Sequence, residues 1–552
     1  MTSDSTPPVS GASLNDQLAG LLVDSRFPEA TVCQFLPHGS IEQLIGRASI
    51  IDELFLDESR GDNRSQVPAG SQDDALVDFI LHSAKKIFTI CLMSHLKLEE
   101  LRTAMERFSK HSFTDEKLPV DFESKPPPFS IDKLWTASRI NEFKVKQWRV
   151  LAPVFPKEFV RLELSERHVL PFTNVDSERK EGTFGAVDGT RSNVAIKELK
   201  AYAGGQGENA HQIYEEWQAE AKALEETSRL DHSHIVPVKA IITKGQRNYF
   251  MFQWADGGSL RDLFQRKPKP VLTRGLVEDI AVQLTGIADA LSALHNFQNN
   301  GAYRHGDLKP ENILIFGNGK RIGLWTIADM GLAKCHYVST GLRGPTSTRY
   351  ATPSYEPPEV RTDPTAARSR LYDIWSMGCI VLELIIWLLY DCDDLDRFNR
   401  SLSGDDGSRG PYWVYHRRMN IAEVSPKVKK IIKYIRDDLS GTSSAMEDLL
   451  RIVENDLLVV ALPALSRRQT GIGRSLADLQ SPRGSNVLQQ GRGNPSVVVS
   501  YAEDRDKSAS SQTAAGPHRA SANELCKALK DILKKGKEYE LLMASEGGEP
   551  YI

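Results

Sequence analysis

Cysteine is scarce in this chain, and none of it is paired. Cys33, Cys91, Cys335, Cys379, Cys392 and Cys526 stand singly among 552 residues. That spacing fits neither a disulfide framework nor a cysteine-based zinc site, and it points to a reducing compartment, with the cytoplasm as the expectation and the nucleus left open. A surplus of one charge is also missing. The formal net charge of -4 is too small for a chain that coats nucleic acid, so no nucleic-acid partner is expected. Long apolar runs are absent too. The longest, 379–390, is interrupted by Glu383 and is too short to span a bilayer, so it reads as a buried helix and no membrane partner is expected. The opening MTSDSTPPVS has no basic stretch followed by an apolar one, and no secretory signal is expected there. What is present is 40% hydrophobic and 26% charged residues, the balance of folded domains, in a chain too long for one ordinary core.

Apolar residues recur at helical spacing from 13 to 108, as in Leu14, Leu18, Leu21 and Leu22, or Leu98, Leu101, Met105 and Phe108. A polar, glycine-containing loop is expected at 57–73. Nothing in this stretch gathers catalytic residue types, so residues 1–124 are expected to form a helical unit used for contacts, its partner unknown. Lys125-Pro126-Pro127-Pro128 cannot continue a helix and predicts a linker over 125–165. Within it, 147–155 and 160–164 read as lead-in strands. From about His168 short strands follow, and from about Val271 mostly helices. That order predicts an α+β second domain over 166–545, its β-rich part at about 166–255 and its helical part at about 256–545. Residues 466–517 are rich in Ser, Gly, Gln and Arg and are expected to be a mainly disordered insertion.

Three motifs in this second domain carry chemistry. In His305-Gly306-Asp307-Leu308-Lys309-Pro310-Glu311-Asn312, Asp307 can accept a proton from a hydroxyl. Lys309 can steady the charge of a transferring phosphoryl group, and Asn312 offers a hard oxygen to magnesium. Further on, Asp329-Met330-Gly331 follows the apolar stretch 324–328. An aspartate leaving a strand there can reach a metal, and Gly317-Asn318-Gly319-Lys320 supplies a hairpin turn between the two motifs. Upstream, Gly182-Thr183-Phe184-Gly185-Ala186-Val187 precedes Val194-Ala195-Ile196-Lys197. Glycines allow close backbone approach to phosphates, and Lys197 on the next strand can pair with them.

Taken together these motifs resemble the eukaryotic protein kinase family, from about His168 to about Leu541. The resemblance implies a bilobal α+β kinase fold, with a β-rich N-lobe and an α-helical C-lobe, preceded here by the small all-α unit. It also implies phosphoryl transfer from ATP with Mg²⁺ to serine or threonine hydroxyls of a protein substrate. Asp307 looks like the catalytic base beside Lys309, and Asn312 and Asp329 look like the metal ligands. Lys197 looks like the phosphate-binding lysine with Glu220 as its helix partner, although Glu216, Glu225 or Glu226 also fits the spacing. Nucleotide contacts are implied at Gly182, Gly185, Val187, Ala195, Gln253, Ala255, Ser259 and Leu314, with Phe252 as the gatekeeper. Pro357-Pro358-Glu359 is similar to the motif that closes the activation segment, and Arg519 stands where the family has an arginine paired with that glutamate. Asp373 is similar to the aspartate that braces the catalytic loop. Lys309 and Thr352 resemble the Ser/Thr rather than the tyrosine kinases.

The chain also departs from the family. Lys180 replaces the first loop glycine and Met330 the usual phenylalanine. A nucleotide-binding scaffold without transfer is the alternative reading, as is a kinase that merely regulates the N-terminal unit. Gly306 replaces the arginine that would pair with a phosphate on the activation segment, which implies activity without such phosphorylation. Changing Ser339, Thr340, Thr346, Ser347 and Thr348 together to Ala is therefore expected to leave the rate of phosphate transfer in place. Loss of activity in that variant would contradict the expectation.

Overall fold

Among the described residues, apolar side chains collect in three clusters. The computed structural model describes residues 13–27, 32–55, 67–176, 182–187, 190–199, 208–267, 269–297, 302–317, 321–329, 334–336, 352–363, 369–403, 409–440, 444–461 and 518–536. Lys180, Met330, Gly331, the five hydroxyl residues named above and the stretch 466–517 lie outside these residues.

The first cluster belongs to the N-terminal unit. Its elements are α1 (Leu14–Leu21), β1 (Val23–Ser25), β2 (Cys33–Phe35), α2 (Ser40–Leu44), α3 (Arg47–Phe55), α4 (Gln72–Ser83), α5 (Lys85–Met93), α6 (Leu98–Lys110) and α7 (Ala137–Lys146). Helix α5 is buried without a break from Ile87 to Met93, so the other helices pack around it. Ser13 and Ser71 cap α1 and α4 by accepting backbone N–H groups, which satisfies donors that a helix start leaves open. Among the described residues, the antiparallel ribbon β1–β2 departs from the helical expectation.

Two sequence expectations are corrected here. The chain does not leave this unit at Lys125. The prolines form a 3₁₀ turn, Pro127–Phe129, and its Phe129 ring lies 4.8 Å from Phe122 and Trp135 and 4.9 Å from Phe143. Proline stiffness therefore serves to inject an aromatic side chain into a core instead of spacing two domains. Nor is 147–155 a strand. Gln147–Arg149 is a 3₁₀ turn, and the buried Gln147 side chain accepts the Val120 N–H at 2.7 Å. Val150 joins the helical core while Phe155 joins the next one, so the apolar spacing reflects two cores and not one sheet face.

The smaller lobe is a six-stranded sheet of β3 (Val160–Leu164), β4 (Phe172–Asp176), β5 (Gly182–Val187), β6 (Thr190–Leu199), β7 (Val238–Lys244) and β8 (Arg247–Gln253), in the order β3-β7-β8-β6-β5-β4. All neighbours are antiparallel except β3, which lies parallel to β7. One face packs on helix α8 (Glu208–Ser228) through Trp217, Ala221 and Leu224. The other carries the second cluster, with Phe155 stacked on Phe172 at 5.7 Å. Phe27 of the N-terminal unit sits edge-on to Phe172 and Tyr249, 5.4 Å from each.

In the larger lobe α9 (Leu260–Phe264) and α10 (Arg274–His295) precede β9 (Ala302–Arg304) and the hairpin of β10 (Ile313–Phe316) with β11 (Leu324–Ile327). Strand β12 (Lys334–His336) pairs with β9. Then come α11 (Glu359–Thr362), α12 (Leu371–Leu389), α13 (Cys392–Ser401), the hairpin β13 (Trp413–His416) and β14 (Ile421–Val424), α14 (Pro426–Asp438), α15 (Ala445–Ile452) and α16 (Ala522–Lys535). Helix α12 contains the apolar run and is the centre of the third cluster, buried from Tyr372 to Leu389. Length and composition alone would let α12 cross a membrane; here the lobe surrounds it. Its Glu383 is fully buried and binds Arg261 at 2.9 Å, Tyr355 Oη at 2.7 Å, and Arg409. Burial works against that charge, yet Arg409 and Arg261 hold the carboxyl below its ordinary range.

Arg519 ties the chain back after 462–517. Its N–H donates to Ala461 O at 2.9 Å, so the two ends of that stretch meet. Its guanidinium, fully buried, grips Glu359 with Nη1 at 2.7 Å and Nη2 at 2.9 Å, and stacks 5.0 Å from the Trp375 ring. Arg519→Ala would remove a fully buried guanidinium that bonds Glu359, Leu371 O and Val459 O. The expected cost is about 3–5 kcal/mol, read as a lower urea midpoint at constant slope; an unchanged midpoint would contradict this role.

Candidate active site

The cleft between the two lobes is built from a strand, a helix and two loops, each held by its own local chemistry. Lys197 stands on β6, in register with Phe250 of β8, and so projects from the middle of the sheet. Its Nζ donates to Glu220 Oε1 at 2.7 Å and to Asp329 Oδ1 at 2.8 Å. One ammonium thus joins a carboxylate of the smaller lobe to one of the larger. Burial opposes the lysine charge, but Glu220 and Asp329 outweigh it and raise its pKa, so the group stays cationic. The Glu220 carboxyl is pushed up by burial, with Lys197 working against that shift.

The partner of Lys197 is therefore Glu220. Glu225 instead bonds Arg161, and Glu226 accepts from the Tyr303 hydroxyl; the Glu216 side chain lies outside the described residues.

Asp307 is held from three directions. Its Oδ2 accepts from Lys309 Nζ at 2.8 Å and its Oδ1 from the Thr352 N–H at 3.0 Å. Asn312 Nδ2 donates to the Asp307 carbonyl at 2.8 Å and to Oδ2 at 3.2 Å. With Nδ2 turned to Asp307, the amide oxygen of Asn312 faces the other way. Lys309 Nζ also donates to Thr352 Oγ1 at 2.8 Å, so Asp307, Lys309 and Thr352 form one closed unit.

The loop beneath is fixed from the core. Asp373, fully buried at the start of α12, accepts the N–H groups of His305 and Gly306, both at 2.9 Å, and bonds His295 Nε2 at 2.8 Å. Burial opposes its charge, and those donors, His295 first, still hold the carboxyl below its ordinary range. Gly306 has φ +83°, a conformation open to glycine at little cost. His305 Nε2 meets Ala328 O at 2.8 Å, and Ala328 N–H donates to Asn312 O at 2.9 Å. Those two bonds set Asp329, with φ +60°, beside Asn312. Left-handed non-glycine residues of this kind cluster at functional sites.

The remaining expected contacts fall at the cleft's back wall and roof. Gln253 ends β8, and Ala255 O accepts the Gly258 N–H at 3.1 Å. Gly257 N–H donates to Ile315 O at 2.9 Å, and Ile315 N–H to Gly258 O at 2.8 Å. A Cβ at Gly257 would come within 2.6 Å of Ile315 Cγ2, so only glycine allows this approach. Ser259 bridges to Leu314 and caps α9 in a reciprocal box with Asp262. Gln253, Ala255, Ser259 and Leu314 are thus drawn along one seam. Overhead, Ala195 is in register with Phe252. Gly182 pairs with Asp176, Gly185 with Ser192 and Val187 with Thr190, which gives the expected strand-turn-strand flap.

Among the described residues no three His, Cys, Asp or Glu side chains gather into a metal cage. Asp329 and Asn312 offer one carboxylate and one amide oxygen. Mg²⁺ is commonly held by so sparse a set when phosphates complete its shell, so the residues fit that ion. Sequence reasoning did not reach the roles of Thr352, His295 or Arg261 in this frame. A lone Glu383 inside an apolar run was the available signal for the last.

Residues 181–433 match the family described as protein kinase domain. Among curated proteins, the chain is 30% identical over 223 residues to CBL-interacting protein kinase 24 of Oryza sativa subsp. japonica, covering 38% of this chain and 43% of that one. It is 26% identical over 328 residues to the probable serine/threonine-protein kinase PBL3 of Arabidopsis thaliana, 53% of this chain and 64% of the relative. To the calcium/calmodulin-dependent protein kinase type 1 of Caenorhabditis briggsae it is 29% identical over 189 residues, 34% and 48%. In each case the chain spans less than two thirds of the relative's length. The family match, with the order of lobes and loops around it, identifies residues 181–433 of this chain as a protein kinase domain.

Proposed function

We propose that this protein is an active serine/threonine kinase that moves the γ-phosphoryl group of ATP, with Mg²⁺, onto hydroxyls of a protein substrate. The observation that carries the reading is Lys197 bonded to both Glu220 and Asp329, at 2.7 and 2.8 Å, above an Asp307 held by Lys309 and Thr352. A scaffold that only bound partners would have no chemical need for all of these groups.

The roles follow from charge and position. Lys197, kept cationic by two carboxylates, can take phosphate oxygens when the nucleotide enters. Asp307, about 10% exposed, can receive the hydroxyl proton as the new P–O bond forms and the bond to the leaving ADP breaks. Lys309, already at 2.8 Å from Asp307, lies where it can offset negative charge on the transferring group. Asn312 and Asp329 would hold the metal, which when bound shields the phosphate charges and orients them. Thr352, bonded to both Lys309 and Asp307, closes the side on which a serine or threonine would approach.

The test is transfer of label from γ-labelled ATP with Mg²⁺ to a generic basic protein. Asp307→Ala is expected to lower the rate by roughly 10²–10⁴-fold, and chelation of the metal to abolish transfer. Equal incorporation by the wild-type and Asp307→Ala proteins would contradict the proposal.

A further inference from the structure

We propose that Arg161, on a strand that precedes the matched kinase domain, is a positioning residue that holds helix α8 so that Glu220 keeps its place beside Lys197. The inference rests on the kinase reading above, and it gives the N-terminal segment a part in building the cleft.

Strand β3 lies parallel to β7 at the sheet edge, with Arg161 beside Ile241. Alternation divides its side chains. Val160, Leu162 and Leu164 pack toward the second apolar cluster. Arg161 turns to the other face, where α8 lies. There its Nη1 reaches Glu225 Oε1 at 2.9 Å, and its guanidinium sits 5.5 Å from the ring of Trp217. Both contacts are on α8 and they bracket Glu220, Trp217 almost one turn before it and Glu225 rather more than one turn after. Trp217 is 2% exposed and packs in the main core, so a group lying against its ring influences how the helix seats on the sheet.

Strand β3 is itself anchored. Phe155, five residues ahead of it, is stacked on Phe172 in the cluster that Phe27 also enters. Ser25 Oγ donates to Leu170 O at 2.7 Å, which ties the N-terminal unit to the same wall. At its far end α8 is joined to the larger lobe through Glu226 and Tyr303. The helix is thus pinned at the rear by the larger lobe and on its flank by β3, and Glu220 lies between the two attachments. An exposed ion pair and a cation over a ring are each weak, so the effect sought is a small factor and not an abolition.

Arg161→Ala, Glu225→Ala and the double variant should be compared with wild type in the full chain. Two readouts are needed, the kcat and KM for ATP in the labelled assay and amide hydrogen exchange over Glu208–Ser228. Each single variant is expected to speed exchange in α8 and to lower kcat/KM for ATP about three- to tenfold. Exchange in α12 and the KM for the protein substrate should not change. The double variant should be no worse than Arg161→Ala alone, because the two residues act through one contact. Unchanged α8 exchange in Arg161→Ala, or losses that multiply in the double variant, would overturn the inference. If the wild type transferred no phosphate the exchange readout would still report on the brace, so the two readings fail separately.

Discussion

Everything in the cleft depends on one shared cation. Lys197 bonds a carboxylate from each side, Glu220 on α8 and Asp329 after β11. A lysine so placed is costly to bury unless its charge is met, and two carboxylates more than meet it. Glu220, 6% exposed, would in turn be an uncompensated buried acid without Lys197. Each group makes the other tolerable, and the geometry that results places a sheet, a helix and the loop carrying Asp329 around one point.

The larger lobe uses the same device three times in its interior. Asp373 gathers two loop N–H groups and His295. Glu383 gathers Arg261, Arg409 and two tyrosine hydroxyls. Arg519 closes on Glu359. All three charges are fully buried, and each joins segments far apart in sequence. Asp373 sets the loop that carries Asp307, Glu383 sets the segment carrying Tyr355, and Arg519 sets the start of α16. Where the family's loop arginine is replaced by Gly306, these posts, with the Lys309–Thr352 contact, still position the loop and the segment opposite it.

Much of the site was readable because its chemistry sits in short contiguous motifs. Asp307, Lys309 and Asn312 fall within one octapeptide, and Lys197 and Asp329 are marked by glycine and by strand-like neighbours. The choice among Glu216, Glu220, Glu225 and Glu226 was not readable, since the length of the helix before His232 left its rotation, and so which glutamate faces Lys197, undetermined. Residues 126–150 were misread for a related reason. Proline and alternating aromatic residues report local stiffness and burial, but not which core receives them, and Phe129 and Trp135 found theirs in the helical unit. Arg161 gave no local sign at all. Its meaning comes from a parallel strand pairing and from a helix more than fifty residues away in sequence.

The N-terminal unit is consequently no appended module. Phe27 and Ser25 reach the outer wall of the sheet, and β3 extends that sheet by a strand, so the unit and the smaller lobe share a boundary made of side chains from both.

The central claim is that groups from both lobes meet at one nucleotide and one metal. Calorimetric titration of ATP, with and without Mg²⁺, into the wild-type, Lys197→Met and Asp329→Ala proteins tests it most directly. The account predicts binding strengthened by Mg²⁺ in the wild type, weaker binding in Lys197→Met, and loss of the Mg²⁺ dependence in Asp329→Ala. Identical isotherms for all three proteins would contradict it.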